Sequence, residues 1–130
     1  MTKKFTLGKQ ERLKSRKQIE ELFAKGQKFS GGFFRVHFLF AENAGSVLQF
    51  GAGVSNKNFK RAVDRNRIKR LTKEAWRLQK NELKEKLQAC GKKINVFLIY
   101  TGKTIPVYNE VLETVSKIIN RLNKNITDSN

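Results

Sequence analysis

The stretch Arg61-Ala62-Val63-Asp64-Arg65-Asn66-Arg67-Ile68-Lys69-Arg70-Leu71 restricts what this chain can become more than any other. Cations and an amide alternate there with apolar residues at helical spacing. On a helical wheel of about 100° per residue, Ile68, Leu71, Ala75 and Leu78 gather into a stripe that must face a core. Arg65, Asn66, Lys69, Arg70, Lys73 and Arg77 spread over the opposite side. A charged helix face is ordinarily just a solvated face. Here nearly every charge has one sign. Apart from Asp64 and Glu74 the face lacks acidic partners, so its cations repel one another unless something outside neutralises them.

The whole chain shares that bias, with 28 Lys+Arg against 11 Asp+Glu and a net charge of +17 over 130 residues. Such an excess destabilises the compact state by self-repulsion and draws polyanions from a distance. Nucleic acid is the expected partner, with an anionic membrane surface as the rival. No segment approaches the ~20 apolar residues of a membrane span; the longest apolar run is Val96-Phe97-Leu98-Ile99-Tyr100. The start, Met1 to Gly8, lacks the apolar core of a signal peptide. Cys90 is the single cysteine, so an internal disulfide is excluded and a cytoplasmic setting is expected. With one Cys and one His, a Cys/His metal cluster is excluded by arithmetic.

One domain is expected, with residues 1–14 as a flexible basic arm and 124–130 as a frayed tail. Ser15 is placed to cap a helix that runs to about Lys25 and stops at Gly26, with Ile19, Leu22 and Phe23 on one side. A short strand is expected at Gln27–Ser30, then a strand pair over Phe33–Phe40 and Ser46–Ser55 with its turn at Ala41–Gly45. Alternation puts Phe34, Val36, Phe38 and Phe40 on a core face with Leu48, Phe50, Ala52 and Val54. The other face holds Phe33, Arg35, His37 and Leu39, and Gln49 beside the bare backbone of Gly51 and Gly53. Small residues on a half-polar face predict a shallow trough.

Asn58 or Asp64 is the expected cap of the long helix, which then runs unbroken to about Ala89 and ends at Gly91. Ile94–Thr101 is a buried strand, and Thr104 with Pro106 opens a last helix carrying Tyr108, Val111, Leu112, Val115, Ile118, Ile119 and Leu122 at 3–4 spacing. The order α-β-β-β-α-β-α predicts an α+β layered fold with the later helices on one sheet face.

Autonomous nuclease chemistry needs converging carboxylates on Mg²⁺ or a His acid–base pair. The acidic residues fall mostly on exposed helix positions, His37 stands alone, and the glycine pairs lack a phosphate-cradling loop setting. No catalytic residue and no metal ligand is assigned to this chain.

Taken together, Phe50-Gly51-Ala52-Gly53-Val54-Ser55-Asn56-Lys57 and Arg61 to Leu71 resemble the protein subunit of bacterial ribonuclease P. The family's Arg-Asn-Arg element is matched at Arg65-Asn66-Arg67, three residues after Ala62 and followed by Ile68-Lys69-Arg70. With the upstream helix, the length and the charge, the resemblance covers residues 12–122. It implies a two-layer α/β sandwich with a four-stranded sheet and a left-handed β-α-β crossover, a fold type shared with a domain of a ribosomal protein. It implies a catalytic RNA as partner, whose bound Mg²⁺ ions remove the 5′ leader of precursor tRNA. The cofactor is thus held mainly by RNA.

On that resemblance Lys57, Lys60, Arg61, Arg65, Asn66, Arg67, Lys69, Arg70 and Lys73 would face the RNA subunit. Phe23, Phe33, Arg35, His37 and Gln49 would face the leader, where aromatic rings stack bases and cations meet phosphates. Two positions depart from the family pattern: Ile19 stands where an aromatic is frequent, and Asn56 where a lysine is common. No membrane role and no obligate protein partner are expected. Charge and element order alone equally allow a non-enzymatic RNA-binding protein of ribosomal type. A DNA-compacting protein fits less well, lacking a dimer seam or a groove-reading helix.

Overall fold

The structure, a computed structural model, describes residues 12–13, 15–40, 47–55 and 57–128. In chain order its elements are α1 (Arg16–Lys25), β1 (Gln27–Gly31), β2 (Phe34–Phe40), β3 (Leu48–Val54), α2 (Ala62–Gln79), α3 (Asn81–Cys90), β4 (Ile94–Tyr100) and α4 (Tyr108–Asp128). The class is α+β, with four helices on a four-stranded sheet.

The apolar run of β4 decides the sheet. A strand without alternation has two faces to cover, so it belongs in the interior of a sheet rather than at its edge. The order is β1-β2-β4-β3, with β4 antiparallel to β2 and parallel to β3. The expected β2–β3 pairing is therefore wrong: β4 sits between them, and the Ala41–Gly45 turn lies outside the described residues. The actual hairpin is β1–β2, where Gly31 pairs with Phe34 across the turn residues Gly32 and Phe33. Gly32 has φ +59°, and a two-residue hairpin turn with left-handed backbone at its first position favours glycine there.

One face of the sheet forms the main core. Phe34, Val36 and Phe38 of β2, Leu48 and Phe50 of β3, and Val96, Leu98 and Tyr100 of β4 are buried against α2, α3 and α4. The alternation predicted these faces correctly. The helix stripe was predicted with an error of rotation. Ile68, Thr72, Ala75 and Trp76 are the buried residues of α2, whereas Leu78 is 41% exposed. Trp76 turns the helix, because its indole stacks on Phe50 at 4.3 Å and 12° between planes. Thr72 is tolerated inside because its hydroxyl donates to Ile68 O at 2.8 Å.

The expected single long helix is two. Its bond pattern breaks at the buried Lys80, where α2 ends and α3 begins, and α3 stops at Gly91 with left-handed φ +69°. Lys92 N–H then closes on Leu87 O at 3.0 Å, a glycine C-terminal cap as predicted. As far as Asp128 the tail is helical rather than frayed, and residues 129–130 lie outside the described residues. Helix α4 continues to Asp128 because Ile126, four residues beyond Leu122, extends the buried stripe. Lys86 and Lys92 donate to Asn123 O and Ile126 O, placing cations on the carbonyls of the helix end.

The N-terminal arm needs the same correction in part. Arg12 bridges Phe50, Leu13 N–H donates to Phe50 O at 2.9 Å, and Leu13 is buried. The rest of the segment before residue 15 lies outside the described residues. Helix α1 begins as predicted, with Ser15 Oγ accepting from Gln18 N–H. It stops at Gly26, whose backbone is extended rather than left-handed. The glycine is required by space: a Cβ there would meet Leu22 O at 2.4 Å and Phe38 O at 2.8 Å. Leu22 is fully buried, which fastens α1 over the second face of the sheet.

Candidate nucleic-acid interface

Two surfaces follow from this arrangement. On α2, Asn66, Lys69, Arg70, Lys73, Glu74 and Arg77 line a groove of about 620 Å³ together with Arg12. Their spacing puts them on one flank of the helix, and the pinning of Leu13 to β3 brings Arg12 across to face them. Among the described residues Glu74 is the one carboxylate in that lining. Arg77 engages it through both Nε, at 3.1 Å from Oε2, and Nη2. The hydrogen bond from Arg77 holds the Glu74 carboxyl below its usual range, so it stays ionised and spent on its neighbour. Lys69, Arg70 and Lys73 add three further positive charges to the same lining.

The loop before α2 carries Lys57, Lys60 and Arg61, all exposed. Neither predicted cap serves the helix. Arg61 is the N-cap and makes no side-chain cap bond. Asn58 instead donates to Thr101 O at 3.2 Å and Gly102 O at 3.1 Å, tying the loop to the end of β4. Arg65 turns back on the loop, donating to Phe59 O and Lys60 O. Arg67 is exposed but lies outside the groove lining. Of the nine residues predicted for this surface, the structure brings Asn66, Lys69, Arg70 and Lys73 into the groove and places Lys57, Lys60 and Arg61 on the adjoining loop.

The second surface is the trough under α1. Phe23 is 44% exposed, and its ring meets His37 edge-on at 4.7 Å and Phe97 at 5.4 Å. Pairing sets His37 of β2 beside Phe97 of β4, and Phe97 beside Gly51 of β3. The two glycines were read as a bare floor. They are instead the bed of an aromatic ring, since a Cβ on Gly51 would lie 2.6 Å from Phe97 Cδ2 and one on Gly53 3.0 Å from its Cε1. Phe97 went unassigned because its apolar run has no period from which to read a face. Arg12 went unassigned because the arm carried no pattern at all.

Arg35 is exposed beside this trough and adds positive potential to it. Burial, with Arg35 and Lys28 nearby, pushes the His37 pKa down, so the imidazole is neutral at pH 7 and offers one donor and one acceptor. Two predicted trough residues are misplaced. Phe33 belongs to the turn, and its ring packs on Phe34 at 5.2 Å and Tyr100 at 5.3 Å, toward the core. Gln49 is only 7% exposed, in register with the equally buried Asn95, so it cannot face a ligand in the trough. Ile19 of α1 is half-buried, and Asn56 lies outside the described residues.

Among the described residues no three His, Cys, Asp or Glu side chains come together as a metal site would require. No helix among them is long and apolar enough to cross a membrane. The class so defined is a basic α+β domain with a cationic ridge on one helix and an aromatic trough beneath α1 on the second face of its sheet. The sequence profile of the Ribonuclease P family matches residues 7–123. A ribonuclease P protein component from Porphyromonas gingivalis is 32% identical over 126 residues, 96% of this chain and 92% of that one. Another, from Pseudanabaena, is 31% identical over 113 residues, 87% of this chain and 91% of its own length. The RNase P protein of Staphylococcus aureus shares the fold, with TM-score 0.70 over 86% of this chain and 94% of that one at 18% identity. This chain belongs to the ribonuclease P protein-component family.

Proposed function

We propose that the chain is the subunit that binds the catalytic RNA of ribonuclease P and the 5′ leader of precursor tRNA, in the cytoplasm. The observation that carries this reading is the groove of Arg12, Asn66, Lys69, Arg70, Lys73 and Arg77, a concave surface whose one carboxylate among the described residues, Glu74, is bonded to Arg77. A surface of that kind attracts polyanions, and a phosphate backbone brought to it releases counterions. The adjoining loop cations Lys57, Lys60 and Arg61 extend it, with Arg67 on the helix flank. Phe23, Phe97, His37 and Arg35 suit a single strand, with rings for bases and a guanidinium for phosphate.

On this reading the Mg²⁺ ions of the reaction are held mainly by the RNA. The protein's part is to raise substrate affinity and to neutralise phosphates crowded at the cleavage site. The test mixes the protein with precursor tRNA, with and without the catalytic RNA, at low Mg²⁺. Stimulation of the RNA, and tighter binding of substrates that carry a leader, is expected. Cleavage by the protein alone would overturn the assignment of chemistry to RNA, and lack of stimulation would favour a ribosomal-type role.

A further inference from the structure

One cation of the ridge is turned inward. Arg65 is half-buried, and its Nη1 donates to two successive carbonyls, Phe59 O at 2.8 Å and Lys60 O at 2.7 Å. Those carbonyls belong to the loop that displays Lys57, Lys60 and Arg61. The loop is anchored at its other end, where Asn58 Nδ2 bonds Thr101 O and Gly102 O and the buried ring of Phe59 rests near Tyr100, at 6.0 Å. The helix start at Arg61 has no side-chain cap, so Arg65, one turn further on, ties helix and loop together.

We propose that Arg65 is a positioning residue: its guanidinium clasps the 57–61 loop so that Lys57, Lys60 and Arg61 are fixed before a phosphate backbone arrives. This rests on the reading of ridge and loop as the RNA-facing surface. A guanidinium is a rigid fork of donors, whereas an ammonium is a point charge on a flexible stem. Side chains and loops ordered in advance do not have to be ordered on binding, and affinity rises accordingly. Losing Arg65 then disturbs three neighbouring cations besides removing its own.

The test uses the full chain as wild type, Arg65→Lys, Arg65→Gln, Arg67→Gln and Lys69→Gln. Amide hydrogen exchange is measured on the free proteins, and affinity for ribonuclease P RNA is followed from 50 to 200 mM salt. Both Arg65 variants should speed exchange at residues 57–62 by roughly tenfold, as loss of charge-assisted hydrogen bonds predicts, with α2 still protected at Ile68–Trp76. Arg67→Gln should leave exchange alone and lower the salt slope by about one contact. Arg65→Lys, although it keeps its charge, should lower the slope by about two contacts or more.

Unchanged loop exchange in the Arg65 variants would overturn the clasp. An Arg65→Lys protein with the wild-type slope would overturn the positioning role, because charge alone would then suffice. Faster loop exchange with wild-type RNA binding would also overturn it. If Arg67→Gln and Lys69→Gln bind as wild type as well, the RNA-facing reading fails separately.

Discussion

Gly51→Ala tests whether the trough is built around Phe97. The added Cβ would sit 2.6 Å from Phe97 Cδ2 and 2.7 Å from Cε2, with Leu13 O at 3.5 Å. That is about 1 Å inside an ordinary carbon–carbon contact of roughly 3.5–4.0 Å. The ring must tilt or the strands must part. Overpacking of this kind costs about 1–3 kcal/mol. Replacing glycine by alanine also restricts the unfolded chain, which offsets about 0.4–1 kcal/mol. The net expectation is a loss centred on about 1–1.5 kcal/mol. In a Phe97→Ala background the obstacle is gone, so the same substitution should be neutral or slightly stabilising. Urea unfolding of wild type, both single variants and the double variant closes the cycle, with a coupling of about 1–3 kcal/mol expected. Additivity of the two substitutions to within about 0.5 kcal/mol would refute the claim that the glycine is there for the ring.

Three further outcomes are expected. Phe97→Ala or Phe23→Ala should weaken binding of leader-bearing precursor tRNA by roughly 5- to 150-fold, the equivalent of about 1–3 kcal/mol of stacking, and leave leaderless tRNA unaffected in a competition assay. His37 has a folded pKa below its ordinary 6.5, so the unfolded chain takes up its proton first as pH falls. Its contribution to stability is complete above pH 6.5, declines from there toward the lowered folded pKa and levels off beneath it; thermal melts against pH should show this slope in wild type and lose it in His37→Gln. Ile126→Ala should cost about 2–5 kcal/mol in urea unfolding, since the side chain is fully buried; a cost under 0.5 kcal/mol would return residues 124–128 to a frayed tail.

What the sequence made legible was what has a period. Alternation placed Val36, Phe38, Leu48 and Phe50 on the core face and His37 on the other, and the structure agrees. The 3–4 spacing of α4 likewise gave its buried stripe at Val111, Val115, Ile118, Ile119 and Leu122, with Tyr108 and Leu112 half-buried at its margin. Where a segment is apolar throughout, as in β4, its strand character was legible but its place between β2 and β3 was not, since neighbours are chosen by tertiary pairing. The wheel of α2 erred because Trp76 and Thr72 were left out of the stripe. With them included, the buried arc shifts toward Arg65, which is why that arginine reaches the loop while Lys69, Arg70 and Lys73 remain on the groove. Caps misled for a similar reason: Asn58 has the right chemistry to cap a helix, but carbonyls at the end of β4 lie within its reach.

The late arrival of β4 in the chain bears on how the molecule matures on the ribosome. The cations of α2 can act while synthesis is still under way, because their charge does not wait for the helix to pack on α4. The aromatic seat beneath α1 cannot, because it joins His37 and Gly51 through a strand translated some fifty residues afterwards. A nascent chain would therefore acquire an attraction for any passing polyanion before it acquires the means to grip a single strand.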